Sequence, residues 1–293
     1  MTASARGLDE SRIQREWPEP MTAKQLDQQY PGIFDGVMLL SGAANIIMQL
    51  ALPGVGYGVK ESRVESGNIF RHPIKRSRTT FTYLAVAMLG TTEEKLAYRK
   101  AVNRSHAHVH STEHSPVEYN AFDPELQLWV AACLYWGFTD TNEKLRGRWT
   151  REQKQRFYDQ ARPLGTTLQV RPDMWPRDLD AFEQYWQAGL QKLQIDEPVR
   201  QMLEDIARLK FLSPISQRLF GNFNLLMTAG FLPPQVREKM KFHWSDKHQQ
   251  RFQRHLRLIG GFSRLLPRPI RQMPYNLIMW GFRRRLATGK PLV

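Results

Sequence analysis

Among 293 residues there is a single cysteine, Cys133. One thiol makes no internal disulfide and no thiolate zinc cluster, and it fits a reducing compartment. The short motifs of several common chemistries are also missing: no GxSxG elbow, GxxxxGK[ST] loop, GxGxxG fingerprint or HExxH pair occurs. The hydrolase, nucleotide-binding and zincin readings that rest on those motifs lose their support. No run alternates apolar and polar residues over the length of a strand, so paired strands are not expected. Internal repeats and low-complexity tracts are absent. The first twenty residues are polar and hold no apolar leader core, so no cleaved secretory signal is expected. Carboxylates are the minority charge: 28 Asp and Glu against 42 Lys and Arg, a net charge of +14 and a pI of about 10.1. That balance admits phosphate, anionic lipid or acidic partners without choosing among them. No helix-turn-helix, finger or RNP signature accompanies it, which ranks nucleic acid last.

What is present is the material of a large core. Eight tryptophans and fifteen phenylalanines argue against disorder. The expected architecture is all-α: a flexible N-terminal arm over residues 1–22, then one multi-helix domain over 23–293. Between Asp35 and Lys60 the chain carries no charge, a length sufficient for a membrane span. Ser41, Asn45, Gln49 and Pro53 interrupt it, so the pattern predicts a buried helix from Val37 to Leu52 and a turn at Pro53-Gly54. A short helix and turn follow over 60–70. His72-Pro73 breaks the chain, and a helix that starts basic and turns apolar runs to Gly90. Asp123 before Pro124 is a strong helix start. Leu126, Trp129, Val130, Cys133 and Trp136 then give a wide apolar face, which predicts a central helix and an inert Cys133 thiol. Thr150 with Gln153 forms a capping box. Further helices are predicted near 179–193, 198–209, 214–229, 233–242 and 246–259. The C-terminal stretch combines Arg264, Arg268, Arg271 and Arg283–Arg285 with Tyr275, Trp280 and Phe282. It reads as a closing amphipathic helix with solvated arginines, or as a peripheral membrane contact.

The chemistry concentrates in 92–112, which reads as one helix capped by Thr91 and Glu94. Tyr98, Val102, His106 and Val109 share one face, so His106 lies in an apolar stripe. Such a histidine is either a hydrogen-bonded core residue or a ligand for a metal or heme iron. His106, His110 and His114 recur every four residues, a spacing open to zinc, although the general base of a zincin is missing. Arg76 and Thr80 are four apart on the preceding helix and share a face. Arg76 is either a solvated first-turn residue or a guanidinium at a pocket mouth, suited to a carboxylate or a bound oxygen species.

Four ordered segments resemble the MpaB/rubber oxygenase catalytic-domain family, which includes the latex clearing proteins and many actinobacterial members. They are Met48-Gln-Leu-Ala-Leu-Pro-Gly-Val55; Arg76-Ser-Arg-Thr-Thr80 followed by Gly90; Val102-Asn-Arg-Ser-His-Ala-His-Val109; and Tyr119-Asn-Ala-Phe-Asp-Pro-Glu-Leu-Gln-Leu-Trp-Val130. The resemblance covers roughly residues 40 to 190. The resemblance implies an all-helical domain enclosing heme b, with His106 as the axial iron ligand and Arg76 and Thr80 as the polar pair near the heme. It implies oxygenase or peroxidase-like chemistry on an apolar or aromatic small molecule, with molecular oxygen or peroxide as oxidant. Thr79 stands where rubber-cleaving members carry lysine, and Ala131 and Leu52 stand where many relatives carry histidine; these departures point away from polyisoprene cleavage. A non-catalytic heme carrier or sensor, and a basic peripheral membrane protein without cofactor, are the competing expectations. The expected location is cytoplasmic, with membrane association as a variant.

Overall fold

The computed structural model describes residues 17–293. Its helices are α1 Ala23–Gln29, α2 Gly42–Leu50, α3 Pro53–Lys60, α4 Pro73–Leu89, α5 Thr92–His106, α6 Pro124–Arg146, α7 Arg151–Ala161, α8 Pro163–Thr166, α9 Leu179–Lys192, α10 Glu197–Ala207, α11 Pro214–Phe231, α12 Pro234–Lys239, α13 Asp246–Leu265, α14 Arg268–Arg271 and α15 Met273–Ala287. Among the described residues the only sheet-like pairing is one antiparallel bridge, His110 with Asn120. The all-α expectation therefore holds, in one domain.

α6 is the centre. Asp123 caps it by accepting from the Glu125 amide at 2.8 Å, and Pro124 takes the first helical position, where no amide proton is needed. α2, α7, α8 and α13 pack around it. One of its faces presents Trp129 and Trp136, and Trp186 of α9 stacks on both, at 5.2 and 5.1 Å between ring centroids. Each such pair contributes about 0.5–1.5 kcal/mol beyond its buried area. The approach needs Gly189, one turn further along α9: a Cβ there would lie 2.3 Å from the Trp129 ring. Cys133 is fully buried in α6, and burial pushes its thiol pKa well up, which matches the inert role expected of it.

The uncharged stretch departs from expectation. It begins as a 3-10 turn, Gly36–Ser41, continues as α2, and Pro53 opens α3 instead of a turn. The two halves meet at 108°, and among the described residues no single helix is long and apolar enough to cross a membrane. The polar residues that interrupt the run are spent internally. Asn45 Nδ2 donates to the Cys133 carbonyl at 2.6 Å, and Gln49 donates to Asn45 Oδ1 at 2.6 Å. Proline at a first helical position, where its fixed φ is an asset, explains why Pro53 starts a helix. Over 60–70 only a 3-10 turn, Glu65–Gly67, forms.

Of the expected N-terminal arm, residues 1–16 lie outside the described residues. Trp17 is buried, donates from Nε1 to Thr166 Oγ1 at 2.9 Å, and lies under the Lys95 ammonium. The basic C-terminal stretch is also less solvated than expected. Arg271 donates to both oxygens of Asp35 at 2.6 Å, Arg146 closes on the same carboxylate, and Arg264 donates to the Leu145 carbonyl at 3.0 Å. These arginines tie α13 and α14 to the front of the chain and are structural.

Candidate functional site

α5 starts as the sequence predicts: Thr91 accepts from the Glu94 amide and the Glu94 side chain accepts from the Thr91 amide, at 3.3 and 3.0 Å. It ends earlier. His106 is its last residue, and 107–112 leave the helix. The reason lies downstream. The Ser111 amide donates to the Tyr119 carbonyl, and the Ala121 amide donates to Val109, at 2.8 and 2.9 Å. These bonds clamp the chain after His106 onto the segment that leads into α6. Tyr119 is held in turn by Glu61, its hydroxyl donating at 2.8 Å. His106 is thus fixed at a helix end between two anchored segments, with the Phe122 ring edge-on at 6.3 Å. Neither the short helix nor the clamp shows in helical periodicity, because a β-bridge is a non-local decision.

The loss of helix beyond His106 removes the three-histidine edge. His110 and His114 lie in an exposed loop, and no group of three or more His, Cys, Asp or Glu suited to a metal occurs among the described residues. The zinc reading ends here.

His106 itself is half-buried. Burial, and after it the charge of Arg76, push its pKa down to about 4. At neutral pH the imidazole is uncharged and keeps a lone pair. Its Nδ1 is buried and has no hydrogen-bond partner among the described residues. Arg76, on the first turns of α4, is half-buried, and burial lowers its pKa. No carboxylate or other hydrogen-bond partner engages its side chain among the described residues. Thr80 turns its hydroxyl back to the Arg76 carbonyl at 3.2 Å, and Thr79 does the same to Lys75 at 3.0 Å. So α4 brings Arg76 toward His106, while Thr80 spends its proton within its own helix.

Three further features were not read from the sequence. Tyr98 of α5 is fully buried and donates to the Thr79 carbonyl at 2.7 Å, locking α5 to α4. Its phenol pKa is raised by burial, against the charges of Arg285, Arg76 and Arg78. Asn103, one turn before His106, accepts from Gln169 at 2.8 Å, and the Gln169 amide donates to Gln127 at 2.8 Å, a polar brace joining α5 to α6. Two surface clefts adjoin these elements. One, of about 120 Å³, is lined by Glu61, Arg63, His108, His110 and Tyr119; the other, by Ala97, Lys100, Asn103 and Arg104. Neither is lined by His106, Arg76 or Thr80.

The donor set suits heme in kind. A neutral imidazole is the protonation state that ligates iron, and unpaired guanidinium groups match propionate carboxylates. The buried, unsatisfied Nδ1 of His106 is the orphaned atom that this fit rests on.

Residues 33–261 match the family model for the ER-bound oxygenase mpaB/B'/rubber oxygenase catalytic domain. Two uncharacterised proteins, one from Mycobacterium bovis and one from Mycobacterium tuberculosis, are each 49% identical to the chain over 255 residues. The alignment covers 87% of this chain and 100% of each relative. No solved structure matches.

Proposed function

Since the chain belongs to the mpaB/rubber oxygenase catalytic-domain family, we propose that it is a heme b-dependent oxygenase or peroxidase-like oxidoreductase with His106 as the iron ligand. The observation that carries this reading is the pair His106 and Arg76: a half-buried imidazole kept neutral, beside a guanidinium without a countercharge among the described residues. When bound, heme iron supplies the activation of molecular oxygen or peroxide. The residues supply the rest. His106 offers a lone pair at neutral pH without competing protons. Arg76 would offer a positive charge to a propionate or a reduced oxygen species, in surroundings that screen it poorly. Thr80 keeps its oxygen lone pairs free, because only its proton is committed to Arg76. Thr79 has no amine to offer, and its hydroxyl faces back to Lys75, which separates this site from one built around a lysine. Phe122 supplies apolar surface beside His106, in keeping with an apolar or aromatic small-molecule substrate.

The test is the absorption spectrum of protein expressed with ample heme, with a pyridine hemochrome assay, beside His106→Ala. A stoichiometric Soret band that the variant loses or shifts is expected. A colourless, folded wild-type protein that takes up no added hemin refutes the reading. Turnover of added peroxide or oxygen against aromatic reporters then separates an enzyme from a heme carrier.

A peripheral contact with an anionic bilayer has its own observation. Leu258, Phe262 and Leu265 of α13 are 64%, 64% and 82% exposed, and Ile215 and Leu219 of the adjoining α11 are 74% and 66% exposed. Arg251, Arg254 and Arg257 are exposed on α13 as well, and no Asp or Glu follows Asp246. Apolar side chains beside unopposed arginines suit an anionic lipid surface. Sedimentation with phosphatidylserine vesicles, weakened by salt and by Phe262→Ser with Leu265→Ser, is expected; no sedimentation at low salt refutes the contact.

A further inference from the structure

We infer that Arg78 of α4 and Arg285 of α15 form an anion site for a carboxylate of the bound molecule, a propionate under the heme reading above, on which this inference rests. α15 packs along α4 more extensively than along any other element, which brings the two arginines into one neighbourhood. Arg285 buries Nε and Nη2, and Arg78 buries Nε, and none of these atoms has a hydrogen-bond partner among the described residues. The two guanidiniums oppose each other: burial first, then the charge of Arg78, lowers the pKa of Arg285. Tyr98 lies within reach of both charges but offers no anion, because its phenol stays protonated and its proton is donated to Thr79.

Among the described residues no carboxylate relieves this pair. Glu94, the acid nearest along α5, is taken by Arg283, whose Nε donates to it at 2.7 Å. Arg283 and Arg285 are two positions apart on one helix, yet among the described residues only the first has a countercharge. Withdrawing an unpaired charge from water is costly, and two like charges together cost more. A fold keeps such an arrangement where a ligand supplies the missing charge. Guanidinium groups bind carboxylates through paired, directional hydrogen bonds, so two neighbouring guanidiniums with N–H groups unpartnered among the described residues suit a carboxylate over a diffuse anion. Arg285 lies beyond residue 261, where the family match ends, and Arg78 lies within it.

The experiment titrates heme-free wild type, Arg78→Met and Arg285→Met with hemin and with hemin dimethyl ester, whose propionates are neutral, following the Soret band. Wild type is expected to bind hemin about tenfold or more tighter than the diester, the effect of losing a charge-assisted hydrogen bond. Each variant is expected to bind hemin only as tightly as the diester, and to bind the diester as wild type does, which shows that it has folded. Unchanged hemin affinity in both variants overturns the site. If wild type binds neither porphyrin, the heme reading has failed, and the anion site stands or falls on thermal unfolding. Succinate, against chloride at matched ionic strength, must then raise the unfolding temperature of wild type more than that of the double variant. Equal rises overturn it; a larger wild-type rise retains the site for a carboxylate from another source.

Discussion

Around Asp35, two guanidinium groups close on one carboxylate that is 1% exposed: Arg271 donates to both oxygens, and Arg146 shares the second while also donating to the Gly260 carbonyl at 3.0 Å. Around Tyr98, three guanidinium groups gather, those of Arg76, Arg78 and Arg285, with no carboxylate among the described residues to meet them. Both regions withdraw arginines from water, and both join distant parts of the chain. In the first, charge is balanced within the protein, so the cluster fastens α6, α13 and α14 to the 3-10 turn before α2. In the second it is unbalanced, and a partly buried charge without a partner costs stability instead of adding to it. The contrast separates arginines that hold the fold from arginines held by it.

The largest expected effect breaks the balanced cluster. Asp35→Ala leaves Arg146 and Arg271 facing each other with only Asp27, 3.7 Å from Arg271 Nη2, to answer them, and stability should fall by about 3–5 kcal/mol, read from urea unfolding. A loss below about 1 kcal/mol, the size of an exposed pair, would put the two clusters in one class. The opposite sign is expected at the unbalanced cluster. In heme-free protein, Arg285→Met removes a charge that has no partner and keeps an aliphatic side chain against α4. Its unfolding free energy should be unchanged or raised by about 1 kcal/mol. A loss of about 2 kcal/mol or more would mean that Arg285 is a fastening after all. A smaller effect sharpens the boundary between the two: Tyr98→Phe deletes one buried hydrogen bond to the Thr79 carbonyl and should cost about 1 kcal/mol, with hemin binding retained, because Tyr98 joins helices and supplies no charge.

Much of the fold is legible in the sequence because it is written locally. Thr91 with Glu94, Asp123 with Pro124 and Thr150 with Gln153 are caps whose partners lie within three residues, and all three form. The apolar face of α6 follows from spacing alone. What is not legible depends on partners far along the chain. His106 ends α5 because residues 109–111 bond to 119–121. Asn45 and Gln49 look like interruptions until the α6 backbone stands beside them. Arg271 looks solvated until Asp35, 236 residues away, is placed against it. The site divides in the same way. Arg76, Thr80 and His106 were named through ordered motifs, and the structure brings Arg76 to His106. Arg285 carries no motif; its signal, an arginine with no acid after Asp246 to answer it, gains meaning only once α15 lies on α4.

His106 extends the comparison to a group that titrates. Burial, and then the Arg76 charge, hold its pKa near 4 against an ordinary value of 6.5. Between those two pH values the unfolded chain binds a proton that the folded chain refuses. The contribution of neutral His106 to stability is therefore whole above pH 6.5 and is lost as pH falls through 4. Heme-free wild type should lose stability relative to His106→Phe progressively across that window. Arg76→Met should narrow the difference by removing the second cause while leaving the first. Acid unfolding curves for wild type and His106→Phe that run parallel from pH 7 to 4 would show that the imidazole is not held neutral.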